Sequence, residues 1–173
     1  MAPYQRSDHP ELWDFLAALP PGAILAGTVA RIENFGVFVA LDDGPPHPYY
    51  AGVGFITVPE LSWRWFRDPR DIVTVGRRVS CEFLQFDDWN LEARLSLRAT
   101  TPDPFQAFAD TVEPGREIAG RVTEVSPLGA FVEVAREWFG LLPGETSLAV
   151  GAEVAVVITE IDRRRRTIRL ERR

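Results

Sequence analysis

Gly22-Ala23-Ile24-Leu25-Ala26-Gly27-Thr28-Val29-Ala30-Arg31-Ile32-Glu33-Asn34-Phe35-Gly36-Val37-Phe38-Val39 decides the fold, because the chain says nearly the same thing again at residues 115–132. There it reads Gly115-Arg116-Glu117-Ile118-Ala119-Gly120-Arg121-Val122-Thr123-Glu124-Val125-Ser126-Pro127-Leu128-Gly129-Ala130-Phe131-Val132. Gly22, Gly27, Val29, Gly36, Phe38 and Val39 each find an identical residue 93 positions on. A fixed spacing that holds for glycines as well as apolar residues marks a repeated structural unit. Two small domains of one kind are expected.

Within each copy the aliphatic residues alternate: Val37, Val39 and Leu41 in the first, Ala130, Val132 and Val134 in the second. Period two is the strand signature, with the aliphatic set facing a core. Phe38 and Phe131 then fall on the opposite, outer face. Gly36 and Gly129 precede these strands, where a bulge or bend would let a short sheet curl. Residues 78–84 and 153–158 continue the pattern after Gly76 and Gly151, and residues 93–97 and 167–170 close it. Each copy offers about five short strands, the number in an OB barrel. The expected fold is all-β: two tandem five-stranded OB barrels, each preceded by a short α-helix.

The helices are legible from their punctuation. Asp8-x-x-Glu11 and Asp103-x-x-Gln106 have the form of capping boxes, with Pro10 and Pro104 in the first turn. Leu12, Trp13, Phe15, Leu16 and Leu19 form an apolar stripe, echoed by Phe105, Phe108 and Val112, and each stretch stops at proline plus glycine. The expected division is an N-terminal helix in residues 1–20, a first barrel over 21–99, a linker helix over 100–113 and a shorter, degenerate barrel over 114–173.

Several motifs together resemble the S1-type RNA-binding domain. In the first copy they are Gly27-x-Val29-x-x-Ile32-x-x-Phe35-Gly36-x-Phe38-Val39, Gly54-Phe55-Ile56-x-x-x-Glu60-Leu61-Ser62, Val75-Gly76, Asp88 and Leu95-Ser96-Leu97. The second copy is similar through Gly120-x-Val122, Gly129-Ala130-Phe131-Val132, Gly140-Leu141-Leu142, Val150-Gly151 and Ile161-Asp162. The resemblance implies single-stranded RNA binding on one barrel face, by two phenylalanines, a histidine after the third strand, and an aspartate and a basic residue near the last strand. Carried over, the rings are Phe35 and Phe38, and the histidine position falls at Thr57. The aspartate is Asp87 or Asp88, with Asp88 in the quoted motif; the basic position falls near Leu91 or Glu92, with Arg94 close by. In the second copy Phe131, Asp162 and Arg166 match, while Leu128 and Pro143 stand in place of the first phenylalanine and the histidine. Rings on a barrel strand suit this role because every base has a π-face, worth roughly 1–3 kcal/mol per stacked base with little sequence preference; the alternative is that Phe35 and Phe38 pack under a loop or against the other domain.

Two segments lie outside that pattern. Residues 63–70 interleave Trp63, Trp65 and Phe66 with Arg64, Arg67 and Arg70. The resemblance implies a short helix capping the barrel in this connection; Trp63 and Phe66, spaced i,i+3, read as core plugs, and Trp65 with Arg64 or Arg67 as the pair able to meet a base. Residues 42–50, with Pro45, Pro46 and Pro48, read as an adjustable surface loop, with a segment that wraps a ligand as the alternative.

Composition bounds the function. The chain has 173 residues, a net charge of −6 and no lysine among its 19 basic residues. Dedicated nucleic-acid binders are usually basic. Here seven arginines crowd residues 163–173, forming a basic end on an acidic body suited to an RNA or ribosome contact, or else a solvated turn. Two histidines, one cysteine and no phosphate-cradling glycine loop leave little for catalysis, cofactor or metal. No apolar run is long enough to span a bilayer, no leader-like stretch opens the chain, and the lone Cys81 fits a reducing cytoplasm. The expected protein is a monomeric binder of single-stranded RNA in translation or RNA metabolism, alone or with a ribosome or RNA-processing assembly. The alternative is a module that docks on such a machine through protein contacts, without tight RNA binding of its own.

Overall fold

The computed structural model describes residues 2–173, which form two compact units, one running to Asp103 and the other from Pro104 to Arg173. In the first, helix α1 (Pro10–Ala18) leads five strands: β1 (Ile24–Glu33), β2 (Gly36–Leu41), β3 (Gly54–Thr57), β4 (Arg78–Asp87) and β5 (Glu92–Ser96). Their order is β1-β2-β3-β5-β4, and β4 returns to pair with β1. All pairs are antiparallel except β3 with β5, which align Gly54 with Ala93, Phe55 with Arg94 and Ile56 with Leu95. In the second, α2 (Pro104–Thr111) leads β6 (Glu117–Ser126), β7 (Gly129–Ala135), β8 (Trp138–Pro143), β9 (Glu153–Asp162) and β10 (Thr167–Arg172). This barrel has the same order, closed by one parallel pair, Arg169 with Leu141.

The alternation places the cores as expected. Val37, Val39, Ile56, Phe83 and Leu95 fill the first barrel, and Val132, Val134, Leu142, Val156 and Leu170 the second. Leu12 and Leu16 of α1 close the first core; Phe105 and Ala109 of α2 close the second. At roughly 25 cal/mol per Å² of apolar surface, such burial dominates the stability of small barrels. Both copies carry the same irregularity: the β1–β2 register shifts between Val29 and Arg31, and the β6–β7 register between Val122 and Glu124. The bulge therefore lies in the strand before the one that sequence reasoning assigned to Gly36. Gly36 serves another purpose. A Cβ there would meet the Phe55 ring at 2.3 Å, so its bareness makes room for that ring.

Three local expectations are corrected. His9, not Asp8, is the N-cap of α1 and makes no side-chain cap; the Asp8 carboxylate instead accepts the Gln5 amide at 2.7 Å. Pro10, with no N–H to satisfy, makes that cap dispensable. The connection from β3 to β4 holds no α-helix over residues 63–66, only 3-10 turns at Val58–Glu60 and Pro69–Asp71. Asp68 and Asp71 form a capping box on the second turn, which fixes the chain locally and leaves no helix for Trp63 and Phe66 to share. Phe66 packs against the core as expected, whereas the Trp63 ring lies under Arg98 at 4.2 Å and its indole N–H donates to the Thr101 carbonyl.

Candidate nucleic-acid interface

The outer face of the first barrel is built by register. Phe38 on β2 lies opposite Phe55 on β3, and Phe55 lies opposite Arg94 on β5, so one row across three strands carries ring, ring and guanidinium. Phe35 reaches over this row from the β1–β2 turn. Its ring stacks on Phe55 at 6.0 Å between centroids and meets Phe38 edge-on at 6.4 Å. Phe35 is 63% exposed, but Phe38 only 8%. Phe38 faces outward from the core valines, as its position in the strand requires, yet Tyr50 and Phe55 roof it at 5.6 and 5.0 Å. Of the two readings open from the sequence, a ring free to stack or a ring packed under a loop, Phe38 takes the second, with Tyr50 of the β2–β3 loop as its cover.

The Arg94 guanidinium lies 4.8 Å from the Phe55 centroid and donates from Nε to the Asp87 carboxylate at 3.0 Å. Asp87, not Asp88, is thus the aspartate that engages this row. It also has the place that Asp162 has in the second copy: it accepts the backbone amides of Trp89 and Asn90 in the β4–β5 hairpin, as Asp162 accepts those of Arg164 and Arg165 in the β9–β10 hairpin. Asp88 contributes its carbonyl to the Tyr4 amide. Burial pushes Asp87 up, but hydrogen bonds from Asn90 and Arg94 outweigh it and hold the carboxyl below the usual range. Glu92, buried beside them with its carboxylate 3.8 Å from Arg94, is pushed up to about 7 by burial, against the pull of Arg94.

The other residues expected in the first barrel lie outside this row. Thr57 ends β3 opposite Gly36 and leads into the first 3-10 turn. Trp65 is 85% exposed, and among the described residues no ring or ion pair joins it or Arg67 to the phenylalanines. Leu91, where the basic position was expected, is fully buried in a left-handed conformation at φ 58°. Arg166 holds the corresponding hairpin position at φ 55°, with its guanidinium 5.6 Å from the Phe105 ring on α2.

In the second barrel Phe131 lies opposite Leu141, and Leu141 opposite Arg169, so a leucine replaces the middle ring of the row. These residues, with Phe139, Asp162 and Arg166, line a concavity of about 460 Å³. The terminal arginines are largely engaged within their own unit: Arg163 with Asp110, Arg172 with Glu145 and Arg173 with Glu117. Arg164 and Arg169 make no ion pair among the described residues.

Phe55, Tyr50, His47 and Arg169 were missed as site residues. Two were reachable: Phe55 stands inside the quoted motif, and Arg169 follows from aligning the last strands of the copies. His47 and Tyr50 sit in a loop with no counterpart in the second copy. Elsewhere, no group of three or more potential metal ligands occurs among the described residues, no helix is long and apolar enough to cross a membrane, and Cys81 is buried with its thiol pushed up to about 11 by burial.

Comparison with known proteins agrees with this geometry. The model of the S1 RNA binding domain matches residues 19–98 and 111–173. The small ribosomal subunit protein bS1 of Mycobacterium leprae is 38% identical over 170 residues, covering 91% of this chain and 33% of the relative. Its namesake in Neisseria meningitidis is 28% identical over 169 residues, covering 90% of this chain and 28% of the relative. Among solved structures, the intact alpha subunit of aIF2 from Pyrococcus abyssi is 29% identical with a TM-score of 0.41, over 53% of this chain and 33% of that one. The chain spans about a third of the length of the mycobacterial relative it matches. Two barrels with the same strand order, the same bulge and the same hairpin aspartate, matched by one family model over most of their length, make this chain a member of the S1 RNA binding domain family.

Proposed function

We propose that the chain binds single-stranded RNA on the outer face of its first barrel and acts in translation in the bacterial cytoplasm, as a binding protein rather than an enzyme. The row formed by Phe38, Phe55 and Arg94, with the exposed Phe35 ring stacked above it, carries this reading. A base laid on Phe35 gains a π-face, and the guanidinium beside Phe55 is placed to meet a phosphate or a second base. The relatives named small ribosomal subunit protein bS1 support a setting in translation. The first barrel takes the larger share of affinity, because the second has Leu128 and Leu141 where the first has Phe35 and Phe55.

The test is Phe35→Ala. The ring is exposed, so the variant keeps its melting temperature while losing roughly 1–3 kcal/mol of affinity for an RNA oligomer. A second reading, docking on an RNA-containing machine through protein contacts, is favoured by Trp65, a large apolar ring that is 85% exposed, and by the net charge of −6. Unchanged RNA affinity in Phe35→Ala, with loss of a protein partner from Trp65→Ala, would replace the first reading by the second.

A further inference from the structure

The loop from Asp42 to Val53 is built rather than adjustable, and it carries rings. His47 is buried at its centre. One imidazole nitrogen, Nδ1, accepts the backbone amides of Tyr49 at 3.1 Å and Tyr50 at 3.0 Å. The other, Nε2, lies 2.9 Å from the Asn90 carbonyl in the β4–β5 hairpin, to which it donates. Gly44, at φ 84°, is pressed so close to Phe15 of α1 that a Cβ would meet its ring at 2.7 Å. Loop, helix and hairpin are thereby tied together.

The result is a line of rings that continues the barrel face. Tyr50 stacks on His47 at 4.5 Å and lies 5.6 Å from Phe38. Beyond His47, Tyr49 lies 6.2 Å away and stacks on Tyr4 at 6.3 Å. Tyr50 is 40% exposed and Tyr49 66%, so both offer surface to a ligand. Two carboxylates flanking the loop do not confront a phosphate strand with bare charge: Asp42 is paired with Arg78, and Asp87 with Arg94. Rings carried on a backbone already held by His47 lose less freedom on binding, which is the energetic advantage of preorganisation.

We propose that Tyr50 and Tyr49 form a second stacking subsite for single-stranded RNA, continuous with the Phe35–Phe55–Phe38 face and lengthening the strand this chain holds. The proposal rests on the RNA-binding reading of that face and adds to it a track that leaves the barrel over the loop. His47 acts here as a positioning residue.

The experiment measures the affinity of the full chain for oligouridylates from about three to about eight nucleotides, a range within the footprint of single OB folds. It compares wild type with the Tyr49→Leu/Tyr50→Leu variant, which keeps apolar bulk but no ring, and with Tyr50→Phe; circular dichroism confirms folding. The expected result is equal affinity for the shortest oligomer, a loss of about tenfold or more for the longest in the double variant, and near wild-type binding in Tyr50→Phe. A double variant that tracks wild type at every length, while Phe35→Ala still loses affinity, overturns the subsite and leaves the barrel-face reading intact. Absence of binding by wild type at any length overturns both, and loss of a bound protein in place of RNA from the double variant assigns the rings to protein docking.

Discussion

The guanidinium of Arg94 lies over the ring of Phe55, because the parallel pairing of β3 and β5 sets the two residues side by side on the outer face of the first barrel. A stacked arginine there is held by Asp87, so it enters binding already oriented. Arg94→Lys keeps the charge but loses the planar fork and its stacking surface. We expect about 1 kcal/mol lost in RNA affinity with the salt dependence unchanged, read from anisotropy titrations at two ionic strengths.

Phe35 and Phe38 separate affinity from stability. Phe38 is roofed by Tyr50 and Phe55, so Phe38→Ala opens a void and costs about 2–4 kcal/mol of folding stability in urea denaturation. Phe35→Ala, at an exposed turn, changes stability by less than about 0.5 kcal/mol.

Glu92 makes stability depend on pH in a stated direction. Its carboxyl titrates near 7 when folded against an ordinary value of 4.5, because burial disfavours the charge. Stability from this group is complete below about pH 4.5 and is lost as pH rises through about 7. Glu92→Gln should flatten the thermal-stability profile over that window and gain about 1–3 kcal/mol above it.

His47 works in the opposite sense. Burial lowers its pKa from the ordinary 6.5, outweighing the hydrogen bond to the Asn90 carbonyl, and His9 lowers it further. Protonation would place a second N–H on Nδ1, against the Tyr49 and Tyr50 amides it now accepts. Stability from the neutral ring is therefore present above about pH 6.5 and lost as pH falls toward and through the folded value. Near-ultraviolet circular dichroism should report loosening of the tyrosines on acidification, and His47→Phe should abolish that transition.

The terminal arginines differ in what they can release. Among the described residues Arg164 and Arg169 make no ion pair, whereas Arg163 and Arg172 are engaged by Asp110 and Glu145. The double change Arg164→Ser/Arg169→Ser should flatten the salt dependence of RNA binding, by at most about one counterion per residue. Arg163→Ser/Arg172→Ser should flatten it less.

Much of the fold was legible because it rests on period and punctuation. The alternation around Val37 and Val132 and the repeated glycines state the strands, and Pro10 and Pro104 the helix starts. The site was harder to read, for reasons of geometry. Asp87 and Asp88 are neighbours whose side chains take different directions, and only the hairpin shows that Asp87 reaches Arg94. The cover over Phe38 comes from Tyr50, which a loop returns to β2 from outside any period. The short helix expected between β3 and β4 is replaced by two 3-10 turns, the second capped by Asp68 and Asp71.

The bulge shared by β1 and β6 makes the two copies comparable residue by residue, and the comparison shows where they part. Spacing between equivalents shrinks from Val39 and Val132 to Gly54 and Gly140, and again to Arg94 and Arg169. The first copy thus carries extra residues only between β2 and β3 and between β3 and β4, the segments holding Tyr49, Tyr50 and Trp65. The second copy is, in effect, a natural deletion variant of the first. It keeps the same strand order without either insertion, so closure of the barrel requires neither segment, and the rings they carry are additions to a scaffold that stands without them.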